Sequence, residues 1–193
     1  QSTGEVKAIV GGRGDKTASK TLNRATDTTR QPGSTFKILA SYSAALDAGG
    51  LTLASVQDDA PYTYAGANGK SVSNYDKRYR GFTTLREAIT DSINIVTVKT
   101  LAQVGVSLGW QYVQEYGFTT VDSRDMNEAL ALGGITQGVS NLELTAAYAA
   151  IANQGTYIKP KFYTKILDHD GNVLIDNTTP ESHTVIKDTT AWL

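Results

Sequence analysis

A serine and a lysine three residues apart, Ser34 and Lys37, stand at the head of a largely apolar segment. On a helix, residues i and i+3 share a face one turn apart, so this spacing sets a hydroxyl beside an amine. Pro32 and Gly33 precede the pair, and the run from Ile38 to Leu46 is rich in helix formers, which predicts a helix with Ser34 in its first turn. Unpaired backbone N–H groups and the positive end of the helix dipole converge there. A serine so placed can be a nucleophile whose proton the lysine takes. The same spacing also fits a capping serine beside a solvated lysine. Ser34-x-x-Lys37 is the only Ser-x-x-Lys in the chain, and Ser92-x-Asn94 is its only Ser-x-Asn. Ser92-Ile93-Asn94 lies between two helical patterns, where a short loop can aim both polar side chains outward.

Composition narrows the setting. At 193 residues and 40% hydrophobic, the chain suits one domain that buries about 70% of its unfolded surface. A formal net charge of -1, from 18 basic and 19 acidic residues, lacks the basic footprint of a nucleic-acid binder. No apolar run approaches a membrane span, and no signal peptide opens the chain. The absence of cysteine excludes disulfides and thiolate metal sites. His169 and His183 stand alone without ligand spacing and read as surface residues, so no metal or other cofactor is expected.

The elements that must carry the pair follow from local signals. Gly4–Gly12 reads as a strand ending in a glycine turn, and residues 13–29 as a polar loop with a short strand near Leu22–Ala25. The Ser34 helix runs to about Asp47 and stops at Ala48-Gly49-Gly50. Residues 51–82 form a long irregular excursion, of a length often tied to function. Its Tyr62, Tyr64, Tyr75 and Tyr79 either line a groove or pack the loop onto the body. Thr84-Leu85-Arg86-Glu87 is a capping box that starts a helix, and Ser140-Asn141-Leu142-Glu143 is another. Between them, helices are expected at Ile95–Val104 and Leu108–Tyr116, with a short one within Asp125–Leu132. The alanine-dense helix from Leu144 to Ala152 belongs in a core. Tyr157–Lys159 and Phe162–Leu167 read as strands, with Asp168–Gly171 turning into Asn172–Ile175. Strands at both ends around a helical middle indicate an α+β domain.

Ser-x-x-Lys followed by Ser-x-Asn is the signature pair of penicillin-binding proteins and serine β-lactamases. Asn23-Arg24-Ala25, Arg30-Gln31-Pro32-Gly33-Ser34-Thr35-Phe36-Lys37 and Leu85-Arg86-Glu87-Ala88-Ile89 leading to Ser92-Ile93-Asn94 resemble the class A, bifunctional penicillin-binding proteins. Leu132-Gly133-Gly134, Gly138-Val139-Ser140 and Leu142–Ala149 are also similar to that family, so the resemblance covers nearly the whole chain. It implies a transpeptidase fold with an antiparallel sheet and a helical subdomain. The family's third motif, Lys-Thr-Gly or Lys-Ser-Gly, is missing: Lys16-Thr17, Lys20-Thr21 and Lys99-Thr100 lack the glycine. Residues 1–193 are therefore expected to be a partial transpeptidase domain, incomplete on its C-terminal side. The remainder would be a missing segment or a separate chain.

The resemblance further implies serine acyl transfer from stem peptides ending in D-alanyl-D-alanine, and acylation by β-lactam antibiotics. Ser34 would be the nucleophile, Lys37 its base, and Ser92 the group passing a proton to the leaving amine. Asn94 would hold Lys37 and touch substrate, with Tyr75, Thr136 and Gln137 as further substrate contacts. The implied location is the outer face of the bacterial cell membrane, anchored through a segment outside this chain. A serine β-lactamase and a β-lactam sensor are the alternatives. Class A β-lactamases need a glutamate for deacylation, and Glu128 and Glu143 are candidates by residue type only. The Ser34 N–H would form half of an oxyanion hole, whose other donor comes from the third-motif strand in the family. Labelled-penicillin trapping on these 193 residues alone is thus expected to run about 10²–10³ slower than with a Lys-Thr-Gly strand in place.

Overall fold

The computed structural model describes residues 2–65 and 70–193, so residues 66–69 of the 51–82 excursion lie outside the described residues. Where the sequence reads as one domain, the chain divides into two compact units, Gln31–Val139 and Gln1–Arg30 with Ser140–Leu193.

The unit Gln31–Val139 is mainly helical. Its first helical run changes pitch twice: a 3₁₀ turn over Gly33–Thr35, a π segment over Ile38–Tyr42, and α1 over Ser43–Asp47. Phe36, Leu39, Ala40, Tyr42, Ala44 and Ala45 bury its inner side. The capping box at Thr84 and Glu87 forms as the sequence predicts and starts α2, Leu85–Thr90. The helix α3, Asn94–Val104, follows after three residues and is buried on nearly every side, as expected of a helix apolar all round. Its buried threonines need no outside partner: Thr97 Oγ1 donates to Ile93 O and Thr100 Oγ1 to Val96 O. Tyr42, Leu85, Ala88, Ile93 and Val96 form a cluster that joins the Ser34 run to α2 and α3.

Gly105, at φ 98°, links α3 to α4, Val106–Glu115. Gly109 of α4 lies so close to Leu101 Cδ1 and the Ala40 carbonyl that a Cβ would overlap both. Two 3₁₀ turns, Ser123–Asp125 and Glu128–Leu132, stand where a single short helix is expected. The strands Val56–Asp59 and Gly81–Thr84 pair antiparallel, as do Tyr62–Thr63 and Ser71–Val72.

In the unit Gln1–Arg30 with Ser140–Leu193, the second capping box starts α5, Asn141–Ala152. Ala146, Ala147 and Ala150 are buried, but Leu142, Thr145 and Ala149 line a hollow of about 320 Å³ against residues 4–10, so only part of this helix is core. The strand predicted over Gly4–Gly12 reduces to one parallel bridge, Glu5 to Lys161. A period-2 pattern makes a strand only where a partner edge accepts it. No strand forms near Leu22–Ala25, because the Asn23 side chain accepts from Ala25 N at 3.0 Å and folds the backbone into a turn. Thr156–Ile158 pairs with Ser182–Thr184, and Lys165–Leu167 with Val173–Asp176 across a turn built on Asp168. The strands within each unit pair two by two. The helix α6, Asp188–Trp192, ends the chain, and both histidines are exposed.

Replacing Gly109 by alanine forces a methyl into the contact between α4 and Ala40. Urea unfolding should show a loss of about 1–3 kcal/mol.

Candidate active site

Ser34 sits in the 3₁₀ turn, and Lys37 follows in α geometry at φ -55° and ψ -43°, so the two residues stand one helical turn apart. Two glycines shape the turn. Gly33 has φ 58°, which favours glycine, and a Cβ on Gly133 would stand 2.6 Å from Gly33 N and O. The Gln31 side chain fastens the same contact, accepting from Ile135 N at 2.9 Å and donating to Ile135 O. Ser34 is exposed, and its hydroxyl makes no hydrogen bond to another described residue.

Lys37 is only 3% exposed. Its Nζ donates to Ser92 O at 2.6 Å, Ser92 Oγ at 2.9 Å and Asn94 Oδ1 at 2.6 Å, which uses all three N–H groups of an ammonium. These acceptors favour the charged form, but burial outweighs them and pulls the Lys37 pKa down to about 8. About one molecule in ten then carries the neutral amine at pH 7. Two of the acceptors, Ser92 O and Asn94 Oδ1, can only accept. A neutral Lys37 therefore keeps its two N–H groups on them and turns its lone pair to the Ser92 hydroxyl, the one partner able to donate in return.

The loop that supplies these acceptors is a helix end. Ser92 N donates to Ile89 O at 3.2 Å and Ile93 N to Ala88 O at 2.9 Å, the paired bonds of a Schellman motif that closes α2. That motif needs a left-handed residue, and Ser92 fills the place at φ 53°. Glycine is the usual occupant, so a serine here keeps its hydroxyl at the expense of backbone strain. Ile93 packs into the apolar cluster and holds the loop down, while Ser92 stays exposed and Asn94 half-buried. Asn94 Nδ2 donates to Ser73 O at 2.9 Å, so both ends of the amide are engaged.

The geometry thus joins Lys37, Ser92 and Asn94 directly, while Ser34 stands exposed one turn before Lys37 in the same helical run. The other expected substrate contacts fare differently. Tyr75 is 98% exposed and borders a hollow that also includes Ser92, Asp91 and Arg80. Thr136 instead spends both its N–H and hydroxyl on buried Asp125, at 2.7 and 2.6 Å. Gln137 bonds Asp122, whose carboxyl the neighbouring Arg124 holds down to about 2. Both residues therefore serve the turn around Asp122 and Asp125. Of the loop tyrosines, Tyr62 packs its loop down by donating to Glu128 Oε1, whereas Tyr79 is exposed. Glu128 also accepts from Ala65 N, and Glu143 is taken up by the capping box with Ser140. Neither carboxylate is left to activate water. Sequence reasoning assigned no role to Gln31, Ser73 or Gly133, whose partners lie far along the chain.

Residues 1–193 match the family described as penicillin binding protein transpeptidase domain. Penicillin-binding protein 1F of Bacillus subtilis is 42% identical over 190 residues, covering 98% of this chain and 25% of that protein. Penicillin-binding protein 1A of Clostridium botulinum (strain Langeland) is 38% identical over 186 residues, covering 91% of this chain and 22% of its own length. The chain therefore spans about a quarter of the length of these relatives. The crystal structure of penicillin-binding protein 1A from Haemophilus influenzae superposes with a TM-score of 0.70 at 32% identity, over 84% of this chain and 24% of that one. Penicillin-binding protein A of Mycobacterium tuberculosis, solved as an imipenem acyl-enzyme complex, shares the fold with a TM-score of 0.74 at 22% identity, over 89% and 43%.

Two stability effects follow from this geometry. Ser92→Gly relieves the left-handed serine, worth about 1 kcal/mol, but removes an acceptor of the buried Lys37 amine, so thermal unfolding should show no net gain. The lowered Lys37 pKa costs the folded state about 3 kcal/mol below pH 8. Stability should recover as pH rises from about 8 to 10.5, where the unfolded chain holds the extra proton. Subtracting the pH-dependent unfolding free energy of Lys37→Met from that of the parent isolates this rise.

Proposed function

The chain belongs to the penicillin-binding protein transpeptidase family, and from that premise we propose that it carries the acyl-transfer site of a peptidoglycan D,D-transpeptidase. The observation that carries the proposal is the Lys37 amine, buried one turn after an exposed serine and held by Ser92 and Asn94 at 2.6–2.9 Å. Ser34 Oγ attacks the carbonyl carbon of the penultimate D-alanine, and its proton passes to neutral Lys37. Ser92 Oγ occupies the lone-pair side of that amine, so the proton travels through Ser92 or Ser92 moves aside to admit Ser34. The amide C–N bond then breaks, Ser92 hands a proton from Lys37 to the departing D-alanine amine, and an ester remains on Ser34. An amine of a second stem peptide takes the acyl group and completes the cross-link. A β-lactam amide opens by the same attack. Asn94 keeps Lys37 in place and offers its remaining N–H to a substrate carbonyl.

The reading favours a transpeptidase over a β-lactamase because Glu128 and Glu143 are both engaged in hydrogen bonds that build the fold. An ester without a water-activating carboxylate is long-lived. Among the described residues no helix is long and apolar enough to cross a membrane. The D-alanyl-D-alanine stem lies outside the cytoplasmic membrane, and that is where we place this site, held there by an anchor in another part of the protein.

Intact mass spectrometry of the complete protein with penicillin G tests the assignment. One stable adduct of the drug's mass on the Ser34 peptide is expected, absent in Ser34→Ala; an adduct that persists in Ser34→Ala sinks it. The acylation rate should rise with pH to a midpoint near 8, set by Lys37, and Lys37→Met should be slower by at least about 10² at every pH.

A further inference from the structure

Asp59 is wholly buried, and the acyl-transfer steps above make no use of it. It ends the strand Val56–Asp59. Its carboxylate accepts from Asn74 Nδ2 at 2.8 and 3.0 Å and from Arg80 N at 2.9 Å, with Arg80 Nη1 at 3.8 Å. Asn74, also buried, donates to Arg78 O at 2.8 Å as well. Its Oδ1 accepts from Ile95 N at 3.2 Å. That N–H belongs to the first turn of α3, where Ile93 at the cap position provides no side-chain cap. Asn74 therefore caps α3 from 21 residues away in sequence. The residue before it, Ser73, accepts from Asn94 Nδ2 through its carbonyl.

The chemistry of these groups gives the chain of bonds a direction. A carboxylate only accepts, so Asp59 forces Asn74 to present its NH₂ inward and its oxygen to Ile95. With Asn74 locked, the Ser73 carbonyl stands at one end of the Asn94 amide while Lys37 stands at the other. Flipping Asn94 would set its NH₂ against the Lys37 amine and its oxygen against the Ser73 carbonyl. We propose that Asp59 is a positioning residue for acyl transfer, locking Asn74 so that the Ser73–Asn74 segment holds Asn94 against Lys37. This rests on the transpeptidase reading above, and it gives a buried acid outside both sequence motifs a role in the reaction.

The test is a double-mutant cycle on the acylation rate constant by penicillin G, measured in the complete protein. Asp59→Asn keeps the shape but places an NH₂ against that of Asn74. It should slow acylation about 10- to 100-fold, while the affinity of the preceding non-covalent complex changes less than about twofold and the protein remains folded at the assay temperature. In an Asn94→Ala background, Asp59→Asn should add less than about a twofold further loss, because its route through Asn94 is already gone. The exchange Asp59→Asn with Asn74→Asp restores one acceptor and one donor across the contact and should recover part of the rate. If Asp59→Asn fails to fold, Asn74→Ser removes the same lock, leaves Asp59 its Arg80 N–H, and runs through the same cycle. Acylation at the parental rate, or losses that multiply in the Asn94→Ala background, overturns the role of Asp59 alone. A parent protein that is not acylated on Ser34 overturns the proposed function as well.

Discussion

An amine taken out of water must be given oxygens in place of water, and the helical unit is built around meeting that need at Lys37. Burial by itself lowers the lysine's affinity for its proton; three acceptors at hydrogen-bond distance keep that affinity from falling further. The balance leaves a group near pKa 8, a strong enough base to take a hydroxyl proton and neutral often enough to do so. The acceptors come from the short loop between α2 and α3 and from the first residue of α3. The geometry of that loop therefore decides the chemistry, and the packing of Ile93 decides the loop.

Several local irregularities trace back to the same need. A 3₁₀ turn carries Ser34, and the π segment behind it widens the helix where Ser41, Tyr42 and Thr97 exchange buried hydrogen bonds. Ser92 takes a left-handed conformation that glycine would occupy with less strain. A buried acid, Asp59, stands behind the Asn94 amide. Each feature is locally unfavourable, and together they hold several polar atoms in one arrangement. Among the described residues no buried side-chain nitrogen or oxygen lacks a partner, so the strain is confined to backbone and desolvation.

Several other acids of this unit are spent on the fold. Asp125 holds the Thr136 turn, Glu128 holds Tyr62 and Ala65, and Asp122 is paired with Arg124. Lys37, one turn after the serine, is the amine whose proton affinity burial lowers. One base can take a proton from an attacking hydroxyl and return it to a leaving amine, and is then free to act again.

Local chemistry in the sequence already determined much of this. The two capping boxes, the glycine stops at Gly105 and Gly117, and the hairpin turn on Asp168 all formed as local patterns predict, because each is decided by bonds between residues close in sequence. The Ser-x-x-Lys spacing is too common to single out Ser34 and Lys37 by itself; its succession by Ser92-x-Asn94, in a known family's order, is what made the four residues candidates. What depends on a distant partner was not legible. Gly4–Gly12 has a strand's alternation but only one bridge, Thr136 turned to Asp125, and the 3₁₀ and π pitches cannot be told from an α-helix by composition. Only the tertiary structure brought Asn74 to Ile95, Gly133 to Gly33, and three oxygens to one buried nitrogen. A pKa is set by everything around a group in space, and spacing along the chain specifies only its nearest neighbours.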